Sequence, residues 1–290
     1  MQKLKLEVMF STGRFKARLA VGALVCSTIV MGTEPLRPAF AGSASKKDKV
    51  GSYVEEAGAH GSSHRTHWGY TGNEGPAHWG GLSSKFKACS KGKAQSPINL
   101  TPSEGATVEP ILFDYHASPL GIIHNGHTVQ VSYQPGSSIQ IGEKTYDLLQ
   151  FHFHTPSEHS LKGERTDMEV HFVHRSKEGE IAVVGVLMKA GTYNKALAEI
   201  WKRMPARESA EQIHRNVMIN AADLLPKRKK YFRYMGSLTT PPCTEGVHWY
   251  VLDTPVTVSE SQTRRFSNAV GQNSRPTQAL NHRLLLAPRN

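Results

Sequence analysis

The stretch Gln150-Phe151-His152-Phe153-His154 constrains the fold of this chain more than any other. A β-strand sends successive side chains to opposite faces, so Phe151 and Phe153 point one way while His152 and His154 point together the other way. One face is aromatic and needs a core. The other is polar, and two imidazoles buried side by side need hydrogen bonds, water or a metal ion. Such a strand has to lie between a hydrophobic core and a polar site.

Further strand-like runs follow at 127–133, 146–154, 168–175, 182–190, 231–238 and 248–258. The turn at 176–180 is short enough to join neighbours as a hairpin. Helices are few. The pattern predicts one over 194–204, with Asn194 as N-cap and Leu197, Ile200, Trp201 and Met204 on one face. It predicts another beginning at Ser259, where Ser259 and Gln262 have capping-box spacing. With 290 residues and 38% hydrophobic content, the chain can bury a sizeable core. The expected fold is β-dominated α+β: a single domain over residues 66–290, built around a large, mostly antiparallel central sheet with short peripheral helices.

The formal charge of +11 is inflated by residues 1–41, where six Lys/Arg stand against Glu7 and Glu34 and leave +7 for the rest. That bias suits solubility or a small anionic product and does not argue for nucleic acid. The basic run Lys227, Arg228, Lys229, Lys230 reads as a solvated turn entering a strand. Near the N-terminus, five Lys/Arg precede a 14-residue apolar run at 19–32, which ends short of small residues at 39–41. This is the pattern of a secretory signal cleaved after Ala41, and the run is shorter than the roughly 20 residues that span a bilayer. Residues 42–65 read as a flexible leader, in which His60 and His64, with His67 just beyond, could bind stray metal. The mature chain is expected to be periplasmic or secreted. It then keeps only Cys89 and Cys243, an even pair that suggests a disulfide closing a very long loop, with two free thiols as the alternative.

The run Met168–Arg175 alternates like the first one, with Glu169, His171 and Val173 on one face and Val170, Phe172 and His174 on the other. As a hairpin neighbour it brings His171 to His152 and His154. Three neutral imidazoles with an open fourth position make a catalytic zinc arrangement, whereas a structural zinc site is closed by a fourth side chain. Packed core histidines are the competing reading.

Several motifs in order carry a resemblance to a known family. They are "HWGY" at 67–70, "QSPINL" at 95–100, "NGHTVQV" at 125–131, "QFHFHTPSEH" at 150–159, "MEVHFVH" at 168–174 and "GSLTTPPC" at 236–243. Together they resemble the alpha-class carbonic anhydrases, specifically the bacterial exported kind, from about residue 67 to residue 287. The resemblance implies Zn2+ held by His152, His154 and His171, with water or hydroxide in the fourth position. It implies reversible hydration of carbon dioxide to bicarbonate and a proton, with weak ester hydrolysis as a side activity. Thr239 takes the place of the family's hydroxyl gate and Glu158 that of the carboxylate behind it. His127 takes the place of the proton relay. Gln150 and Glu169 match the acceptors behind the ligand imidazoles. Val173, Val183, Leu238, Val247 and Trp249 match the apolar wall beside the substrate. His159 and His174 read as structural hydrogen-bonding histidines. His124 is left open, either supplementing the relay or perturbing it.

Three rivals are weighed against this reading. A catalytically silent binding relative conflicts with the presence of all three ligands, Thr239 and Glu158. A zinc esterase would be separated by comparing rates on carbon dioxide and an ester. A zinc carrier using the His-rich leader would lose its function with residues 42–64. The expected partners are carbon dioxide and bicarbonate, with no nucleic acid and no stable membrane anchor after signal removal; a homodimer is compatible with the sequence.

Overall fold

Alternating β-branched and aromatic residues lay down ten strands that join in one sheet among the described residues, which in this computed structural model are 66–101 and 105–288. The expected signal at 1–41 and leader at 42–65 lie outside them. The strands are β1 (Ile111–Asp114), β2 (Ser118–His124), β3 (Val129–Ser132), β4 (Ser138–Ile141), β5 (Lys144–His154), β6 (Met168–Ser176), β7 (Ile181–Ala190), β8 (Gln212–Ile219), β9 (Tyr231–Ser237) and β10 (Glu245–Val258). Their order across the sheet is β8-β2-β3-β5-β6-β7-β10-β9, and β1 joins through β4 to the first part of β5. Only β7 and β10 pair parallel; the other pairs in this sheet are antiparallel, as the sequence predicts.

The helices are short and peripheral: α1 (Trp79–Leu82), α2 (Ala88–Lys91), α3 (Ala198–Arg203) and α4 (Glu260–Val270). The helix expected over 194–204 forms as a 3-10 turn, Lys195–Leu197, that runs into α3. Asn194 caps it by accepting from the Ala196 amide at 3.0 Å. Pro205 follows Met204 and disfavours helical backbone at that residue. α4 begins with the predicted capping box of Ser259 and Gln262.

The sheet has two different faces. One buries Phe151, Phe153 and Phe172 against Trp201 and Phe266 from the helices. Each such side chain contributes about 1.5–3 kcal/mol on leaving water. The other face carries a smaller cluster including Val183, Val247, Trp249 and Val251. Between Val173 and His174 the β5/β6 register shifts, so His174 lies opposite Leu148 and not Leu149. This bulge absorbs one residue of β5. Leu149 and Gln150 can therefore both border the cavity, while Leu148 and Tyr146 join the core.

Cys89 and Cys243 form a disulfide across 154 residues of sequence. It ties α2 to the loop that follows β9.

Candidate active site

β5 and β6 meet with His152 opposite His171 and His154 opposite Glu169. The register brings the three predicted histidines together: one ring nitrogen from each lies within 4.8 Å of the others. They line a cavity of about 430 Å³. His154 and His171 are buried, and His152 is partly exposed toward the cavity.

The outward nitrogen of each ring has an acceptor. His152 Nδ1 lies 2.8 Å from Gln150 Oε1, and His154 Nδ1 lies 2.8 Å from the Asn273 carbonyl. His171 Nε2 lies 2.9 Å from Glu169 Oε1, a close electrostatic contact short of an aligned hydrogen bond. These partners assign the N–H to the outward nitrogens. The inward atoms, Nε2 of His152, Nε2 of His154 and Nδ1 of His171, are then lone pairs. His154 Nε2 is buried without a hydrogen-bond partner, as is Glu158 Oε2, which lies 3.6 Å from it and 3.9 Å from His171 Nδ1. A convergence of acceptors around one point, without a donor, fits a bound cation. Three imidazoles with an open position are a zinc donor set.

The electrostatics follow from burial and neighbours. Burial, reinforced by His154 and His171, holds His152 well below the usual histidine range, and burial lowers His154 as well. Burial alone would lower His171, but Glu169 and Glu158 raise it. Glu169 is itself pushed up by burial, yet His159 and His171 hold it well below the usual carboxylate range. Its Oε2 accepts the amides of Glu158 and His159 at 2.9 Å each. His159 continues this network to Tyr234 at 2.7 Å, a structural role as expected. Opposite His171 on β7 stands Gly185, where a Cβ would lie 2.9 Å from Glu169 Oε1. Any larger residue would crowd the carboxylate behind the ligand.

Around the histidines, Val173, Val183, Leu238 and Trp249 border the cavity as expected, and Ile181 and Leu149 join them. Val247 does not border it and instead packs in the apolar cluster behind. Thr239 lies on the wall, nearly buried. Its hydroxyl makes no hydrogen bond to Glu158, whose Oε1 instead accepts the Arg275 amide at 2.8 Å while Oε2 stays free. His127 stands at the cavity edge with its ring stacked on Trp68, centroids 3.7 Å apart. Burial and nearby His67 lower its pKa from the ordinary value. Both ring nitrogens of His124 are engaged: Nε2 lies 3.0 Å from the Ala269 carbonyl and Nδ1 accepts the Gly126 amide at 3.2 Å.

Two residues of the site carried no sequence signal. Asn273 and Arg275 sit in an irregular segment after α4, and their contacts are made through main-chain atoms and long-range pairings that no local pattern announces.

The pattern of the family described as eukaryotic-type carbonic anhydrase matches residues 74–289. The carbonic anhydrase of Neisseria gonorrhoeae is 46% identical over 232 residues, 79% of this chain and 90% of that protein. The chain belongs to the alpha-carbonic anhydrase family. A Nostoc carbonic anhydrase is 43% identical over 76% of this chain and 85% of its own length. The solved alpha-carbonic anhydrase of Thermovibrio ammonificans, in complex with the inhibitor sulfanilamide, superposes with a TM-score of 0.74 at 40% identity, covering 77% of this chain and 99% of that one. The activity is the hydration of carbon dioxide by a zinc-dependent lyase. The small-molecule substrate agrees with the enclosed apolar wall. Among the described residues no helix is long and apolar enough to cross a membrane.

Proposed function

We propose that His152, His154 and His171 hold the zinc ion and that the surrounding residues divide the reaction between them. The observation that carries this is the convergence of three inward nitrogens whose outward partners are Gln150, Asn273 and Glu169. As is general in carbonic anhydrases, bound zinc lowers the pKa of water to about 7 and so supplies hydroxide near neutral pH.

Val173, Val183, Leu238 and Trp249 hold carbon dioxide in a pocket that excludes bulk water. Thr239 donates a hydrogen bond to the free Glu158 Oε2 in the reacting state. Its oxygen can then only accept, so it would orient the nucleophile that the metal would supply. His127 takes up the proton released in each turnover and passes it to buffer at the rim, as a histidine imidazole can. Residues 1–41 direct export, residues 42–65 form a leader, and the enzyme domain occupies 66–290 in the periplasm or outside the cell. The Cys89–Cys243 disulfide supports that reading, because such bonds persist in oxidising compartments.

The test is replacement of His152, His154 and His171 by Ala one at a time. Each variant is expected to lose most of its zinc and more than about a hundredfold in carbon dioxide hydration, beyond the 10–100-fold typical of outer-shell changes. Normal zinc content in His171→Ala would show that the third ligand lies elsewhere.

A further inference from the structure

Asn273 is fully buried and uses every polar group it has. Its main-chain carbonyl accepts from His154 Nδ1 at 2.8 Å, and its amide donates to the Thr155 carbonyl at 3.1 Å. Its side-chain Oδ1 accepts the Thr155 amide at 2.8 Å. The Nδ2 group donates twice, to the Phe153 carbonyl at 2.9 Å and to the His127 carbonyl at 3.1 Å. Phe153 lies between two proposed ligands. One carboxamide therefore grips both the ligand strand and the backbone of the proposed relay.

The turn bearing His127 is also tied to that strand by Thr128, whose Oγ1 accepts the Phe153 amide at 3.4 Å, and further on by the pairing of Gln130 with His152. Asn125 Oδ1 accepts the amides of His127 and Thr128 at 3.0 and 2.9 Å, which shapes the turn from within, and Gly126 at φ +87° permits it. Thr128 Oγ1 donates to the Phe153 carbonyl at 2.6 Å. At His127 itself, Asn273 Nδ2 supplies the bond from outside the turn, while the ring stacks on Trp68.

We infer that Asn273 is a positioning residue for proton transfer: its Nδ2 group fixes the distance between the His127 turn and the ligand strand, and its carbonyl separately orients His154. The inference rests on the reading of His127 as relay. It separates two functions within one residue. The carbonyl survives substitution, whereas the Nδ2 donor does not.

Asn273→Ser in the full zinc-loaded chain removes the donor and keeps the carbonyl. The expected result is normal zinc content, kcat/KM for carbon dioxide within about twofold of the parent, and kcat in dilute buffer lowered about tenfold, the lower end of an outer-shell effect. The split arises because kcat/KM covers the steps up to hydration, and the proton leaves afterwards. Added imidazole should restore much of the loss. The amides of His127 and Thr128 should also exchange hydrogen faster, a readout independent of turnover. In a His127→Ala background, Asn273→Ser should lower kcat no further. Zinc content and kcat/KM falling in step with kcat, or an undiminished kcat loss in the His127→Ala background, would show a merely structural Asn and overturn the inference. His127→Ala with parental kcat in dilute buffer would instead sink the relay reading itself. A normal His127→Ala defect beside an unaffected Asn273→Ser would sink only the role of Asn273. Should Asn273→Ser not fold, Asn273→Ala likewise keeps the main-chain carbonyl, removes the donor without adding a buried polar group, and decides by the same measurements.

Discussion

β5 and β6 deliver His152, His154, His171, Gln150 and Glu169 by alternation and register, whereas His127 and Thr239 reach the same cavity, and Asn273 the back of β5, from segments without a repeat. In the strands, a slip of one residue would turn the whole set to the other face. Burial of Phe151, Phe153 and Phe172 behind them therefore fixes the imidazoles in front. Nothing of this kind operates in the loops. There each group depends on a particular bond: Asn273 to the His127 carbonyl, Arg275 to Glu158, and the disulfide to the segment after Thr239. The precision of the histidine cluster comes from the core, and that of the loop groups from single interactions. Damage to a strand-borne group should consequently appear as lost zinc. Damage to a loop-borne group should appear as lost rate with zinc in place.

Thr239→Ala puts this distinction under the largest load. It removes one oriented hydroxyl from the wall and touches no ligand or ligand partner. The expected loss is about a hundredfold in kcat/KM, on the order of what losing one preorganised hydrogen bond at a reacting oxygen costs. Zinc content and unfolding temperature should stay near those of the parent. A variant that loses zinc in proportion to rate would place Thr239 with the strand-borne group and break the division.

The disulfide offers a milder test on the same loop. Closing 154 residues is worth about 5 kcal/mol in the chain-entropy model, and native bonds more commonly contribute about 2–4. Cys89→Ser with Cys243→Ser should lower the unfolding temperature by about 5–15 °C for a domain of this size. Below that temperature, zinc content should hold while kcat/KM falls several-fold, because Thr239 lies four residues before Cys243. Calorimetry together with zinc analysis at 25 °C checks both halves. Loss of zinc in the folded double variant would mean that the loop supports the ligand strands as well.

The same division explains what the sequence discloses. The alternation of His152, His154 and His171 with phenylalanine and valine is a local pattern, so the sheet, its antiparallel pairing and the ligand face could be read directly. The capping box at Ser259 was legible for the same reason. Gly185 and Asn273 were not, because a close approach to Glu169 and a main-chain acceptor leave no periodic trace. Val247 shows the opposite failure. It lies on the strand face of Trp249 and is equally buried, yet Trp249 borders the cavity and Val247 does not, a difference that belongs to the tertiary structure. The reading of His127 as proton relay rests on motif resemblance, and the tied nitrogens of His124 needed the fold.

β6 carries its own control in His174, three residues beyond His171 and turned to the core. It is fully buried, with Nε2 facing the Tyr115 hydroxyl at 2.7 Å and Nδ1 the Ala182 carbonyl at 3.2 Å. No metal site lies near it among the described residues, so its imidazole acts on stability alone. Burial lowers its pKa from 6.5 to about 3. Below pH 6.5 the unfolded chain therefore binds a proton that the folded chain refuses, and stability falls as the pH drops toward 3. Above pH 6.5 both states are neutral here and the effect vanishes. The slope contributed by this one group reaches about 1.4 kcal/mol per pH unit. His174→Gln removes it while leaving His152, His154 and His171 in both proteins, so the difference between their urea-unfolding curves isolates His174. Between pH 6.5 and 5 the variant should lose less stability per pH unit than the parent, at equal zinc saturation, and its carbon dioxide hydration should keep the parental pH profile. Parallel stability lines would mean that the core-facing histidine accepts its proton without unfolding, and that the two faces of β6 differ less than the packing indicates.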